Sequence, residues 1–219
     1  MSDRYTRPDF TRCALLTIDL QNDFAGSDAC LTMPGCQPVI GKVSSLVSAF
    51  RKRGLPIVHV VRIYLPDGSN VDSCRRKAVE DGAKIVLPRT PGAELVPEIR
   101  PEGGLDYDGL LEGKIQEYSP SEFAVYKPRW GAFYKTGLED FLRGRGVNTL
   151  IITGAFFPRC VRATIFEASS RDFRVVAVRD GIVGMHELGV AELEGICVAV
   201  LDAEAFLEAL SGGGSETRP

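Results

Sequence analysis

The chain has 219 residues, with 26 lysines and arginines against 29 aspartates and glutamates, a formal net charge of −3. Hydrophobic residues make up 44% and charged residues 25%, ordinary values that exclude a collagen, a disordered chain and a small disulfide scaffold. The near-neutral balance gives no electrostatic reason to bind nucleic acid or an anionic membrane.

Residues 1–11 read as a flexible arm and residues 212–219 as a disordered tail, which leaves 12–211 as a single domain. The apolar run Cys13–Leu20 predicts a buried strand. Val39–Arg53 places Val39, Ile40, Val43, Leu46, Val47 and Phe50 at helical spacing, with Gly54 as its stop. Pro56–Ile63 predicts a second strand. Residues 64–122 are loop-rich, with short helices near 70–81 and 91–98, a longer excursion than a connection needs. Strands follow over Phe123–Lys127, Thr149–Gly154 and Phe173–Arg179. Helices are predicted over Thr136–Arg145, Arg159–Arg171 and near 187–194, then a short strand near 196–200 and a closing helix over Leu201–Leu210. This alternation predicts an α/β fold with a doubly wound parallel sheet. Ligands in such sheets bind beyond the carboxyl ends of the strands.

No apolar stretch of signal-peptide or membrane-spanning length is present. The cytoplasm is the default compartment, where the six cysteines are expected as thiols. Cys13 and Cys197 suit small buried hydrophobes; Cys30, Cys36 and Cys74 have no chemical partner to name. Of the two histidines, His59 reads as a core residue, and His186 receives no role. There is no GxGxxG after any strand, which argues against a dinucleotide-binding oxidoreductase.

Three polar residues interrupt the apolar pattern at strand ends. Asp19 closes the first strand, Lys127 the third, and Cys160 follows the fourth near a helix start. Each has a plain structural account: a turn cap, a solvated lysine, a small buried hydrophobe. Together on one sheet edge they also make a base, a charge partner and a nucleophile, and a helix N-terminus lowers a thiol's pKa.

The segments Thr17–Phe24, Val125–Phe133 and Gly154–Val161 resemble the isochorismatase-like cysteine hydrolases, in the family's order and over roughly residues 12–205. The resemblance implies a three-layer α/β/α domain with a six-stranded parallel sheet and a catalytic triad of Asp19, Lys127 and Cys160. It further implies a cis peptide at Ala155–Phe156, an oxyanion hole from the backbone N–H groups of Phe156 and Cys160, and a homodimer or homotetramer. Phe157, Pro158 and Arg159 depart from the family's usual residues and suggest a differently shaped pocket. The metal-binding Asp-x-His pattern of the nicotinamidase branch is missing after the second strand, so no metal and no cofactor are expected. Phe24, Trp130, Phe133 and Phe157 are expected to wall the pocket, and Arg129 and Arg159 to hold a substrate carboxylate or carbonyl. The expected activity is hydrolysis of a C–N bond in a small amide, carbamoyl or ureido compound through a thioester. A non-catalytic oligomeric member and a vinyl-ether hydrolase are the alternatives.

Overall fold

The computed structural model describes residues 4–26 and 35–212. Cys30 and the tail past Gly212 lie outside them. Strand β1 (Cys13–Ile18) is followed by α1 (Asn22–Ala25), α2 (Cys36–Arg53) and β2 (Ile57–Val61). The excursion carries α3 (Ser73–Glu80), a 3₁₀ turn (Pro91–Ala93), α4 (Tyr107–Leu111) and β3 (Gln116–Ser119) before β4 (Glu122–Tyr126). Then come α5 (Leu138–Gly144), β5 (Thr149–Gly154), a π turn (Phe157–Val161), α6 (Arg162–Ser169), β6 (Arg174–Ile182), α7 (Glu187–Gly195), β7 (Ala199–Leu201) and α8 (Ala203–Gly212).

These strands form one sheet in the order β3-β4-β2-β1-β5-β6-β7. The six expected parallel strands are there, and β3 adds a seventh, antiparallel to β4 at the edge. Its sequence, Gln-Glu-Tyr-Ser, is polar and only partly buried, so no alternating apolar pattern announced it. The chain winds outward from β1 through β2 to β4, then returns to lay β5 on the other side of β1. The reversal brings the carboxyl ends of β1, β4 and β5 to one edge of the sheet.

Each face has its own core. Helices α2 and α8 and the excursion cover one face, with Phe50, Tyr64, Leu95 and Phe206 in that cluster. Helices α5, α6 and α7 cover the other through Leu142, Ile165 and Leu193. The central strands are buried on both faces, and so β1 and β5 read as unbroken apolar runs. Gly54 ends α2 in the left-handed region, at φ 62°. Residues 4–11, expected as part of an arm, are bonded to the sheet: the Asp9 N–H donates to Thr149 Oγ1, and Arg174 donates to the carbonyls of Arg4 and Tyr5. Cys13 is fully buried, whereas Cys197 is exposed, because it turns through φ 61° after α7 instead of entering β7.

His59 sits fully buried in β2. Its Nε2 lies 2.9 Å from Glu122 Oε1 and its Nδ1 2.8 Å from Thr17 Oγ1. With Nε2–H donating to the carboxylate, Nδ1 accepts from the hydroxyl. Arg51 of α2 donates to both Glu122 oxygens, at 2.9 and 2.6 Å. Burial holds the imidazole below its ordinary range, hence neutral. Burial alone would raise Glu122, but the hydrogen bonds from His59 and Arg51 outweigh it and hold this carboxyl at about 2.

Both groups take up protons more readily in the unfolded chain, so both lower stability as pH falls. The loss begins below about 6.5 for His59 and runs from 4.5 to about 2 for Glu122. Glu122→Gln is expected to cost about 1–3 kcal/mol at neutral pH and to flatten the acid limb in that second window. Urea denaturation of both proteins at pH 7 and pH 3 measures this, and an acid limb of unchanged slope would refute it.

Candidate active site

The last two carbonyls of β2 place two of the site's side chains. Val60 accepts from the Asp19 N–H at 2.9 Å, and Val61 accepts from the Lys127 N–H at 3.0 Å. Successive carbonyls of a strand point to opposite sides, so β2 holds the ends of β1 and β4 together. Asp19 leaves the strand at φ 52°, a left-handed conformation that aspartate tolerates, and β1 therefore ends at Ile18 rather than at Leu20. On the other side Gly154 packs backbone to backbone against β1. At its φ of 134°, a Cβ would stand 2.2 Å from the Ile18 carbonyl oxygen, so only glycine fits.

Beyond Gly154 the Ala155–Phe156 peptide is cis, as the resemblance implies. The chain then enters the π turn that carries Cys160. The turn is tied down by Thr164, whose hydroxyl donates to the Cys160 carbonyl at 2.7 Å and accepts from the Ala132 N–H at 3.1 Å.

Asp19, Lys127 and Cys160 come together at this edge. Lys127 has none of its surface in water, and its Nζ donates to Asp19 Oδ2 at 2.8 Å and to the Arg129 carbonyl at 3.4 Å. The Cys160 thiol, itself buried, lies within electrostatic reach of the Asp19 carboxylate. Burial pushes that thiol's pKa up, and the Asp19 charge pushes it further; Lys127 and Arg62 pull the other way without prevailing. The resting group is thus a thiol, and the lowering expected from a helix start does not win. Asp19 Oδ1 is buried with no hydrogen-bond partner.

A fourth polar residue joins them. Arg62, just past β2, is fully buried, with Nη2 4.0 Å from Cys160 Sγ. Its backbone N–H and C=O are both held by the Gln21 side chain, at 2.7 and 2.8 Å. Its Nη1 lies 3.3 Å from Asp72 Oδ2, which also accepts from the Tyr64 hydroxyl at 2.5 Å. Arg75 donates to the same hydroxyl at 2.9 Å and lies over the Phe24 ring. The signal for Arg62 was present in the sequence. It is a charged residue closing an apolar run, as Asp19 and Lys127 are.

The remaining candidates spread out. Phe24 is buried beside Arg75. Phe156 is half-buried at the mouth of the turn. Phe157 is buried edge-on against His186, which caps α7 by accepting from the Gly189 N–H. Phe133 packs in the core against Phe173. Trp130 is 37% exposed and, with Asp72, Arg129 and Tyr134, lines a surface recess of about 520 Å³. Arg129 is exposed, and its Nη1 donates to the carbonyls of Asn70 and Pro128. Arg159 is exposed too, its guanidinium 5.8 Å from the Phe156 ring centre.

Where the Asp-x-His pattern of the nicotinamidase branch is expected after β2, the chain reads Val61-Arg62-Ile63-Tyr64-Leu65-Pro66-Asp67, with no histidine. A guanidinium offers no lone pair to a metal, and among the described residues no three His, Cys, Asp or Glu side chains gather to hold an ion. The side chains present do not fit that metal.

The sequence description "Isochorismatase domain" matches residues 13–107 and 109–205. The chain belongs to the isochorismatase family. Among relatives, a protein of Arabidopsis thaliana described as a "probable inactive nicotinamidase" is 34% identical over 166 residues, 75% of this chain and 76% of its own. A ureidoacrylate amidohydrolase of Methylobacterium radiotolerans is 28% identical over 210 residues, 90% of this chain and 78% of its own. An isochorismatase family protein of Desulfovibrio vulgaris, solved by crystallography, superposes with a TM-score of 0.78 at 27% identity, covering 91% of this chain and 98% of that one. The shared fold accounts for the mostly parallel central sheet.

The charges around sulfur generate a counterintuitive expectation. Asp19→Asn removes a charge that raises the thiol pKa and leaves Lys127 and Arg62 in place. Iodoacetamide should then modify Cys160 at lower pH in the variant than in the wild type. Site-resolved mass spectrometry across pH 6–10 reads the shift, and a profile moved to higher pH would contradict it.

Proposed function

We propose that this protein is a cysteine amidohydrolase that cleaves a C–N bond, other than a peptide bond, in a small amide, carbamoyl or ureido compound. The observation that carries the proposal is the buried meeting of Asp19, Lys127 and Cys160. An ammonium and a carboxylate are costly to bury, and a scaffold has no use for them against a thiol. The similarity to ureidoacrylate amidohydrolases supports a C–N bond as the target.

Asp19 removes the thiol proton as sulfur attacks the substrate carbonyl carbon. Its unpartnered Oδ1 is an acceptor available for that proton. The carbonyl oxygen gains the negative charge, which the backbone N–H groups of Phe156 and Cys160 receive. The C–N bond then breaks, and the proton held by Asp19 passes to the leaving nitrogen. Water attacks the resulting thioester while Asp19 accepts its proton. The C–S bond breaks, the acid leaves, and the proton returns to sulfur. Lys127 keeps its ammonium against Asp19 throughout and offsets the negative charge on oxygen or sulfur. A raised thiol pKa suits this route, because proton removal coincides with attack and no standing thiolate is needed. The chemistry needs a reduced thiol, as the cytoplasm would keep it.

The Arabidopsis relative's description raises a non-catalytic reading. All three groups are present here, Lys127 bonded to Asp19 and Cys160 buried within reach of both charges, and this favours catalysis. The vinyl-ether alternative gains nothing from the thiol.

Cys160→Ala and Asp19→Asn should each lower kcat about a thousandfold or more with the fold intact, and Lys127→Ala should act similarly. Ammonia release over a panel of small amides and ureido compounds, with circular dichroism as the fold control, tests this. Near-wild-type turnover in either of the first two variants would sink the assignment. Dialysis against EDTA should leave turnover unchanged; activity lost with a bound metal and restored by it would reverse that expectation.

A further inference from the structure

Arg62 is buried with an incomplete set of hydrogen bonds, its guanidinium 5.8 Å from the Tyr64 ring centre. A guanidinium has five N–H donors. Of those on Arg62, Nη1 reaches only the Asp72 carboxylate, at 3.3–3.4 Å, and Nη2 reaches only the Cys160 sulfur, at 4.0 Å. Among the described residues Nε has no hydrogen-bond partner, although the side chain is fully buried. Asp72 is shared, since it also accepts from Tyr64 and lies 4.0 Å from Arg129 Nε. The backbone of Arg62 is clamped by Gln21, so its position is fixed from below.

Among the groups withdrawn from water beside the sulfur, Lys127 and Arg62 are matched by Asp19 and Asp72. The half-buried Arg75, bonded to the Tyr64 hydroxyl, adds a further cation at the rim. The unfilled donors of Arg62 lie beside the nucleophile, where a buried N–H without an acceptor is costly.

We infer that Arg62 is the specificity-determining residue of this site, receiving a carboxylate carried by the substrate close to the carbonyl that Cys160 attacks. This rests on the amidohydrolase reading and narrows it to acidic substrates, such as a ureido or carbamoyl acid, over neutral amides. The planar guanidinium edge matches a carboxylate in geometry as well as charge. Arg75, which reaches Tyr64 and covers Phe24, bounds the same corner with a second cation. Arg159 adjoins the nucleophile in sequence but is exposed.

Alkylation separates this role from simple stabilisation of a thiolate and needs no known substrate. Iodoacetate and iodoacetamide deliver the same carbon to sulfur, but only iodoacetate carries a carboxylate, one carbon away from the new bond. A cation that merely favours thiolate speeds both reagents alike. A carboxylate receptor speeds iodoacetate alone. Cys197, exposed after α7, reports the intrinsic rate ratio in the same molecule. Mass spectrometry of the full chain should find the iodoacetate-to-iodoacetamide ratio at Cys160 at least tenfold above that at Cys197. Arg62→Gln should bring the two ratios together. Arg62→Lys, which keeps the charge and loses the fork, should fall between. If the Gln variant does not fold, the wild-type and Lys ratios still decide. Equal ratios at the two cysteines of the wild type, or a preference undiminished in either variant, would overturn the role of Arg62 alone. A Cys160 inert to both reagents would overturn the nucleophile assignment and this inference with it.

Discussion

A lysine with no surface in water, bonded to a nearly buried aspartate, is the constraint on which the rest of the site depends. Neither charge could be left there alone, because an unpaired ion in such surroundings costs several kcal/mol. The two residues follow strands that are not neighbours, β1 and β4, with β2 between them. The pair therefore forms only if all three strands end in register. The sheet accomplishes this with main chain, since Val60 and Val61 accept the N–H groups of Asp19 and Lys127. Side-chain chemistry is positioned by the hydrogen-bond ladder itself, with no mobile loop intervening.

The long excursion after β2 belongs to the same arrangement. Its apolar residues Tyr64, Val71, Leu95 and Ile99 complete the core on the α2 side, while its polar residues Asp72 and Arg75 face the edge where the nucleophile lies. Gln21 joins it to β1: the amide donates to the carbonyls of Arg62 and Ala93, and its oxygen takes the Arg62 N–H. A side chain thus serves as one more rung of sheet where no strand continues. Residues far apart in sequence arrive at the sulfur without a second domain to carry them.

The sheet was legible because its inner strands are covered on both faces and so appear as apolar runs. β3 was not, since a polar edge strand is recognised only by its neighbour. Asp19 and Lys127 were legible as polar residues where an apolar run should end cleanly. Arg62 obeys the same rule but stands one residue before Ile63, so the apolar run continues past it in the sequence. Arg159 adjoins Cys160 in sequence, yet successive residues of a helical turn point in different directions, and its side chain is exposed while the sulfur is buried. The sign of the thiol's shift was beyond the sequence as well, because it depends on how deeply three charges and one sulfur are buried together.

Thr164 has a mechanical consequence. Its single hydroxyl is used twice, giving its proton to the Cys160 carbonyl and taking one from the Ala132 amide. The loop after Lys127 and the turn bearing the sulfur are therefore riveted through one oxygen atom. An outward swing of that loop must either give up the Ala132 bond to Thr164 or drag the turn with it. While that oxygen keeps both partners, the loop after Lys127 and the turn bearing the sulfur hold a fixed separation.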